Sequence, residues 1–152
     1  MNRARSMIFI APALALLLAT GCATGADRTS HAPASSTEAS DAKVALAVRS
    51  PRHLRVAMMT AREMLSGQGD VRASRVDVIA CGDAVPALVG HSEIADQVRA
   101  TQAAGARIVA CGLTIEQKGI DPTGLIEGVE VAPNGLTEIV RLQTQGYYSV
   151  EL

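Results

Sequence analysis

The chain contains 152 residues, enough for one small domain with a terminal extension. Its 14 Lys and Arg side chains nearly balance 15 Asp and Glu, and the net charge of −1 leaves no basic excess for binding a nucleic-acid backbone. Hydrophobic residues make up 48% of the chain, which supports a packed core. Aromatic residues make up only 2%, which argues against a site that stacks bases or sugars on rings.

Residues 1–21 have the pattern of an export signal. Arg3 and Arg5 precede an apolar run from Met7 to Ala19, which is shorter than the roughly 20 residues that a membrane-spanning helix needs. The run leads into Leu18–Cys22, which resembles a bacterial lipobox. We therefore predict cleavage before Cys22, lipidation of that cysteine and a periplasmic protein. By analogy with such lipoproteins, Ala23 after the cysteine favours the outer membrane.

The alternative is ordinary signal-peptide cleavage and a soluble periplasmic protein. Ala19–Gly21 and Ala23–Gly25 both have the small residues that such cleavage needs. In either case residues 22–42, rich in Ala, Ser, Thr and Asp, predict a flexible tether. We expect His31, which lies within this tether, to be solvated.

From Lys43 onward, short apolar segments alternate with helical patterns. Ser50, Ser92 and Asn134 predict three helix starts, and Thr114–Lys118 predicts a short helix. This alternation favours an α/β domain over residues 43–152, with parallel strands and helices on both faces. The predicted strands are Lys43–Val48, Arg75–Ala80, Ala106–Ala110, Val129–Ala132 and Tyr147–Leu152.

Two of these strands end in the same tripeptide, Ala-Cys-Gly, at Cys81 and Cys111. The carboxyl ends of parallel strands are where open α/β sheets bind ligands. Backbone N–H groups at the start of a following helix can stabilise a thiolate there, and we assign this role to Gly112, Leu113 and Thr114. A buried structural cysteine is the competing interpretation.

The two cysteines differ in their predicted acidity. Asp83 lies two residues after Cys81, and a nearby carboxylate disfavours a thiolate. The charges that follow Cys111, on Glu116 and Lys118, are farther along the chain. Cys111 is therefore the candidate nucleophile.

The sequence around Cys111 resembles the cysteine loop of the DsrE/DsrF-like family. The resemblance covers roughly Lys43–Leu152 and is carried best by Ile108–Ile120, Gly128–Gln143 and Gln145–Tyr148. It implies a flavodoxin-like, three-layer α/β/α fold with a mostly parallel five-stranded sheet. It also implies a homo-oligomer, a trimer or hexamer, which agrees with a core that has almost no aromatic side chains.

Well-known family members work in cytoplasmic sulfur relay and carry sulfane sulfur as a cysteine persulfide. The resemblance places that residue at Cys111. The chain departs from relatives in two ways, because the position of Cys81 is often a histidine in them and because this chain carries an export signal. The sulfur donor or acceptor protein is not indicated by the sequence.

Other candidate ligands carry weaker patterns. We expect His53 to be a surface residue, and His91 to begin a helix near the cysteines. Their spacing with Cys81 and Cys111 matches no metal motif, so no metal is expected. Lys118 either binds an anionic sulfur ligand or is a solvated helix end. No glycine-rich phosphate loop follows the first strand, so neither a nucleotide nor a flavin cofactor is expected.

The leading functional hypothesis is a periplasmic, membrane-anchored thiol protein that carries or transfers sulfur through Cys111, without a cofactor. The alternative is a non-catalytic oligomeric binding or assembly module. Cys81 and Cys111 end two strands that, if adjacent, lie about 4.8 Å apart, within the range for a disulfide. We expect free thiols at rest, and our hypothesis is that Cys81 is the resolving partner of Cys111.

Overall fold

A computed structural model describes residues 42–152. The predicted signal peptide, lipidation site at Cys22 and tether histidine lie outside these residues. Ala42, which the sequence placed in the tether, is instead the first residue of a strand. Within residues 42–152, none of the helices has the length and apolar character needed to span a bilayer.

Residues 42–152 form five strands that alternate with four α-helices and two short 3-10 segments. The strands are β1 Ala42–Val48, β2 Ala73–Ala80, β3 Arg107–Cys111, β4 Glu130–Ala132 and β5 Tyr148–Glu151. The helices are α1 Pro51–Ser66, α2 Ala95–Ala103, α3 Gly112–Lys118 and α4 Gly135–Thr144, and the 3-10 segments are Gly82–Leu88 and Pro122–Gly124.

The strands form one sheet in the order β4-β3-β2-β1-β5, and every neighbouring pair is parallel. The first four strands are added in one direction, so right-handed crossovers place α1 and α2 on the same face. The chain then returns from β4 to β5 across the whole sheet, which places α4 on the opposite face. The predicted α/β fold with helices on both faces is confirmed.

Two of the three predicted helix caps are present. The Ser50 side chain accepts a hydrogen bond from the backbone N–H of His53, and the Asn134 side chain accepts one from Leu136 N–H. The prediction for Ser92 is wrong, because its hydroxyl has no partner among the residues that are described. The carbonyl of Ser92 accepts from Ala95 N–H in a turn, so α2 begins only at Ala95.

The two faces of the sheet have separate cores. The first core is the more extensive one and includes Leu54 and Met58 of α1 and Val98 of α2. The second core, between the sheet and α4, is smaller and holds both cysteines. Its members are Ala45, Ala47, Ile79, Cys81, Val109, Cys111, Ala132, Ile139, Leu142 and Tyr147.

Candidate functional site

The two cysteines lie side by side at the carboxyl edge of the sheet. Ala80 of β2 is paired with Ala110 of β3, so the residues that follow, Cys81 and Cys111, occupy equivalent positions. Both are buried on the face covered by α4, and both are free thiols. The two thiols are close enough that each one influences the pKa of the other. The structure thus brings together the two cysteines that the sequence singled out.

Gly135, the first residue of α4, packs against both cysteines. Its backbone N–H donates a hydrogen bond to Cys111 Sγ at 3.2 Å. A Cβ at this position would lie 2.5 Å from Cys81 Sγ and 3.1 Å from Cys111 Cβ, so only glycine fits without a shift. Sequence reasoning missed this residue, although the Asn134 cap already indicated that a helix begins there.

Thr114 also helps to lower the pKa of Cys111, through its backbone N–H and its hydroxyl. The hydroxyl oxygen in turn accepts from Gly82 N–H at 3.1 Å, which ties the segment after β2 to the thiol. The prediction for Leu113 is wrong, because its N–H donates to the carbonyl of Pro133 at 3.2 Å. Gly112 contributes by its size, since a Cβ there would lie 3.0 Å from the carbonyl oxygens of Ala132 and Pro133.

The environment separates the acidities of the two thiols. Burial raises the pKa of Cys111, but hydrogen bonds from Gly135, Thr114 and Cys81 outweigh burial and hold it below its ordinary value. Burial, together with the neighbouring Cys111, raises the pKa of Cys81 to about 11. Cys81 is the weaker acid, but not because of Asp83, whose exposed carboxylate pairs with Lys118 at 2.8 Å.

A cavity of about 460 Å³ opens onto both cysteines. Arg49, at the end of β1, is exposed and has no ion-pair partner within residues 42–152. Lys118 is already paired with Asp83, so Arg49 is the cation left to meet an anionic ligand. The lining residues are Arg49, Cys81, Gly82, Asp83, Cys111, Leu113, Thr114, Gln117, Asn134 and Leu136.

A second cavity, of about 270 Å³, lies on the β1–β5 side of Cys81. The two cavities share Arg49, Cys81 and Leu136, whereas Cys111 borders only the larger one. Cys81 therefore lies between the cavities, and Cys111 is reached from the larger one.

The two histidines within residues 42–152 are not part of this site. His53 and His91 are exposed, and neither borders the cavity at the cysteines. The expectation that His91 lies near the cysteines is not borne out by the cavity lining. Among residues 42–152, no three His, Cys, Asp or Glu side chains are grouped so that they could hold a metal ion.

The fold and site define a parallel α/β domain with a thiol pair at the carboxyl edge of its sheet. Residues 26–151 match the model of the DsrE/DsrF-like family, and the chain belongs to that family. Membership supports a role related to sulfur relay. Comparison with curated proteins gives no match.

Solved structures agree with this assignment. A protein of unknown function, MTH1491 from Methanobacterium thermoautotrophicum, shares 29% identity with a TM-score of 0.65, over 74% of this chain and 100% of that one. The ychN protein from E. coli shares 18% identity with a TM-score of 0.53, over 72% and 99% of the two chains. BT1422 from Bacteroides thetaiotaomicron, a conserved protein of unknown function, shares 14% with a TM-score of 0.55, over 72% and 95%. The last two support the fold alone.

Proposed function

We propose that Cys111 accepts a sulfane sulfur and carries it as a persulfide. The observation that supports this most directly is the hydrogen bond that Gly135 N–H donates to its sulfur, beside Thr114, which also lowers the pKa of the thiol. Such donors favour the thiolate, which is the nucleophilic form of cysteine. The family's relation to sulfur relay agrees with this chemistry.

The loading step is a transfer between sulfur atoms. The Cys111 thiolate attacks the outer sulfur of a donor persulfide, R–S–SH, and a new S–S bond forms at Cys111 Sγ. The S–S bond of the donor breaks, and the donor leaves as the thiolate R–S⁻, so no external oxidant is needed. The cavity at Cys111 leaves space for the extra sulfur, and the unpaired Arg49 favours a donor that carries negative charge.

Mass spectrometry of the full chain after treatment with cysteine persulfide tests this proposal. Trypsin separates the three cysteines, because Arg28, Arg99 and Arg107 lie between them. We expect the Cys111 peptide to gain one sulfur atom and Cys111→Ser to gain none at that peptide. The matched variant Cys81→Ser should still load Cys111. A Cys81→Ser chain whose Cys111 peptide never gains sulfur would contradict the proposal, because this variant has no second thiol at the site to remove it.

We further propose that this sulfur chemistry takes place in the periplasm, on a chain anchored through a lipid on Cys22. The basic residues, the short apolar run and the lipobox-like Leu18–Cys22 support it. Cys22→Ala should release the protein from membranes or block its maturation. A mature wild-type chain that begins after Cys22 and carries no lipid would contradict the anchor.

We also propose that the domain assembles with copies of itself. The alternative function, a non-catalytic oligomeric binding or assembly module, requires such assembly. Tyr148 and Val150 of the outer strand β5 are 70% and 46% exposed. Apolar side chains on an open edge strand favour association with another chain.

Light scattering tests assembly. The wild type should form at least a dimer, and the double variant Tyr148→Ser/Val150→Lys should shift towards monomer. Met59→Lys, at an exposed apolar position of α1, is the matched control and should leave assembly unchanged. A wild-type monomer at micromolar concentration would contradict the proposal.

A further inference from the structure

We propose that Cys81 is a resolving thiol, which attacks the inner sulfur of a Cys111 persulfide, closes a Cys81–Cys111 disulfide and expels hydrogen sulfide. This inference rests on the proposed function, because it begins from persulfidated Cys111. It assigns a chemical role to a buried cysteine that sulfur carriage alone does not use.

The positions of the two residues permit the bond. Strands β2 and β3 are neighbours in register up to Ala80 and Ala110, and both cysteine side chains lie under α4. Neighbouring strands are about 4.8 Å apart, which falls within the Cα separations that disulfides accept. Gly135 has no side chain to separate the sulfurs, and each thiol is close enough to influence the pKa of the other. Closure therefore needs no large movement of the backbone.

The position of Cys81 also determines which of the two sulfurs of the Cys111 persulfide it attacks. Cys81 lies beside Cys111 in the same buried cluster, next to the Cys111 Sγ that becomes the inner sulfur when Cys111 carries a persulfide. The Cys81 sulfur bonds to that atom, and the bond from it to the outer sulfur breaks. The outer sulfur leaves with its own hydrogen and with the proton from Cys81, as hydrogen sulfide. Both cysteines are oxidised, and the sulfane sulfur is reduced to sulfide.

The surroundings of Cys81 determine how fast this step can occur. Burial has the largest effect on the pKa of Cys81 and the neighbouring Cys111 the next largest. Both raise this pKa, so the thiol is protonated at neutral pH. Arg49, from the end of β1, opposes this effect, and Glu151 of β5 reinforces it. A weakly acidic thiol forms a strong nucleophile once it loses its proton, and hydrosulfide is a good leaving group. Disulfide closure should therefore speed up as pH rises above neutrality.

The product places the step within a reaction sequence. The oxidised chain cannot accept a second sulfur until a dithiol reductant opens the Cys81–Cys111 bond by thiol–disulfide exchange. The reaction that follows must therefore be reduction of a protein disulfide, with oxidation of the reductant's own two thiols.

A single-turnover experiment on the full chain tests the inference. The protein is loaded with cysteine persulfide, freed of excess donor by gel filtration and left without reductant, while sulfide is measured over time. The wild type should release one sulfide per loaded chain and gain a linkage between the Cys81 and Cys111 peptides. Cys81→Ser should keep its persulfide and release sulfide at least about tenfold more slowly, because the intramolecular attack is lost. Cys81→Ala provides a second variant, and circular dichroism checks that both are folded.

The outcomes separate this inference from the proposed function. If the wild type loads Cys111 but keeps its persulfide as long as Cys81→Ser does, the inference is wrong and sulfur carriage stands. If the extra sulfur moves onto the Cys81 peptide, Cys81 is a relay residue and the resolving role is again wrong. If Cys111 never loads, the proposed function itself fails.

Discussion

The same three elements, β2, β3 and α4, build two different clusters on one face of the sheet. At the carboxyl edge they contribute Cys81, Cys111 and Gly135, with neutral groups arranged around two sulfurs. Towards the amino end of β3 they contribute Asp77, Arg107 and Glu138, where Arg107 contacts the carboxylates of Asp77 at 3.1 Å and Glu138 at 2.7 Å.

Of these two clusters, the ionic one contributes to stability and the thiol one contributes to reactivity. In the ionic cluster, opposite charges satisfy one another, and Arg141 adds a further contact to Glu138 at 2.7 Å. In the thiol cluster, backbone and hydroxyl donors select one of two like groups for ionisation, and a cavity opens beside it. Changes to the ionic cluster should therefore affect stability, and changes around the thiols should affect reactivity as well.

The largest effect is expected from Gly135→Ala, since its methyl group would meet Cys81 Sγ and Cys111 Cβ. The 2.5 Å approach to Cys81 Sγ forces a shift, which should cost about 2–3 kcal/mol of unfolding free energy. The displaced N–H should also slow alkylation of Cys111. Gly124→Ala is the matched control, because its Cβ meets nothing within 4 Å. Equal urea midpoints for the two variants would show that the thiol cluster tolerates a side chain at Gly135.

Glu138→Gln tests the ionic cluster and should lower the free energy of unfolding by about 1–2 kcal/mol at pH 7. The loss is smaller than for a fully buried pair because Arg141 is half exposed. The hydrogen bond from Arg141, opposed by burial and aided by Arg107, lowers the pKa of Glu138 to about 2. A depressed carboxyl pKa stabilises the fold above the unfolded value near 4.5, and this stabilisation is lost as pH falls towards 2.

The stability gap between wild type and Glu138→Gln should therefore close over that acid range in urea titrations. Glu130→Gln, which removes a half-exposed partner of Arg107, is the control and should cost less than about 1 kcal/mol. A gap that stays constant down to pH 2 would mean that the Glu138 charge does not stabilise the fold.

The smallest effect is expected from Thr114→Val, which removes one hydroxyl beside Cys111. Loss of a hydrogen bond of about 0.5–1.5 kcal/mol should slow Cys111 alkylation at neutral pH by about two- to tenfold. Thr114→Ser keeps the hydroxyl and should react at the wild-type rate. If Thr114→Val and Thr114→Ser react equally fast, the hydroxyl does not contribute to the thiolate.

The sequence predicted those parts of the fold that follow from local patterns. Apolar strands, the caps at Ser50 and Asn134 and the repeated Ala-Cys-Gly ends were sufficient to place Cys81 and Cys111 at one edge. Gly135 could not be predicted, because its contact with the thiols depends on how α4 crosses the sheet. Ser92 failed for a different reason. Its residue type favours a helix cap, but it lies in a turn before α2, where its carbonyl and not its hydroxyl accepts from Ala95 N–H.

Charge effects were also harder to predict than positions. Asp83 is close to Cys81 along the chain, but its carboxylate points to Lys118 at the surface. The acidity of Cys81 is set by burial and by Cys111, which come from tertiary packing. The ionic cluster of Asp77, Arg107 and Glu138 left no local pattern, because its members come from three separate elements.

The fold makes Cys111 a stronger acid than its neighbour Cys81, because their surroundings lower the pKa of Cys111 and raise the pKa of Cys81 to about 11. The most direct measurement is the pH dependence of iodoacetamide alkylation at each cysteine, followed on the separated tryptic peptides of the folded chain. Cys111 should titrate below the ordinary range of a thiol, and Cys81 should stay unreactive until the pH approaches 11. If the two cysteines titrate together, or if Cys81 reacts at the lower pH, the account of this site is contradicted.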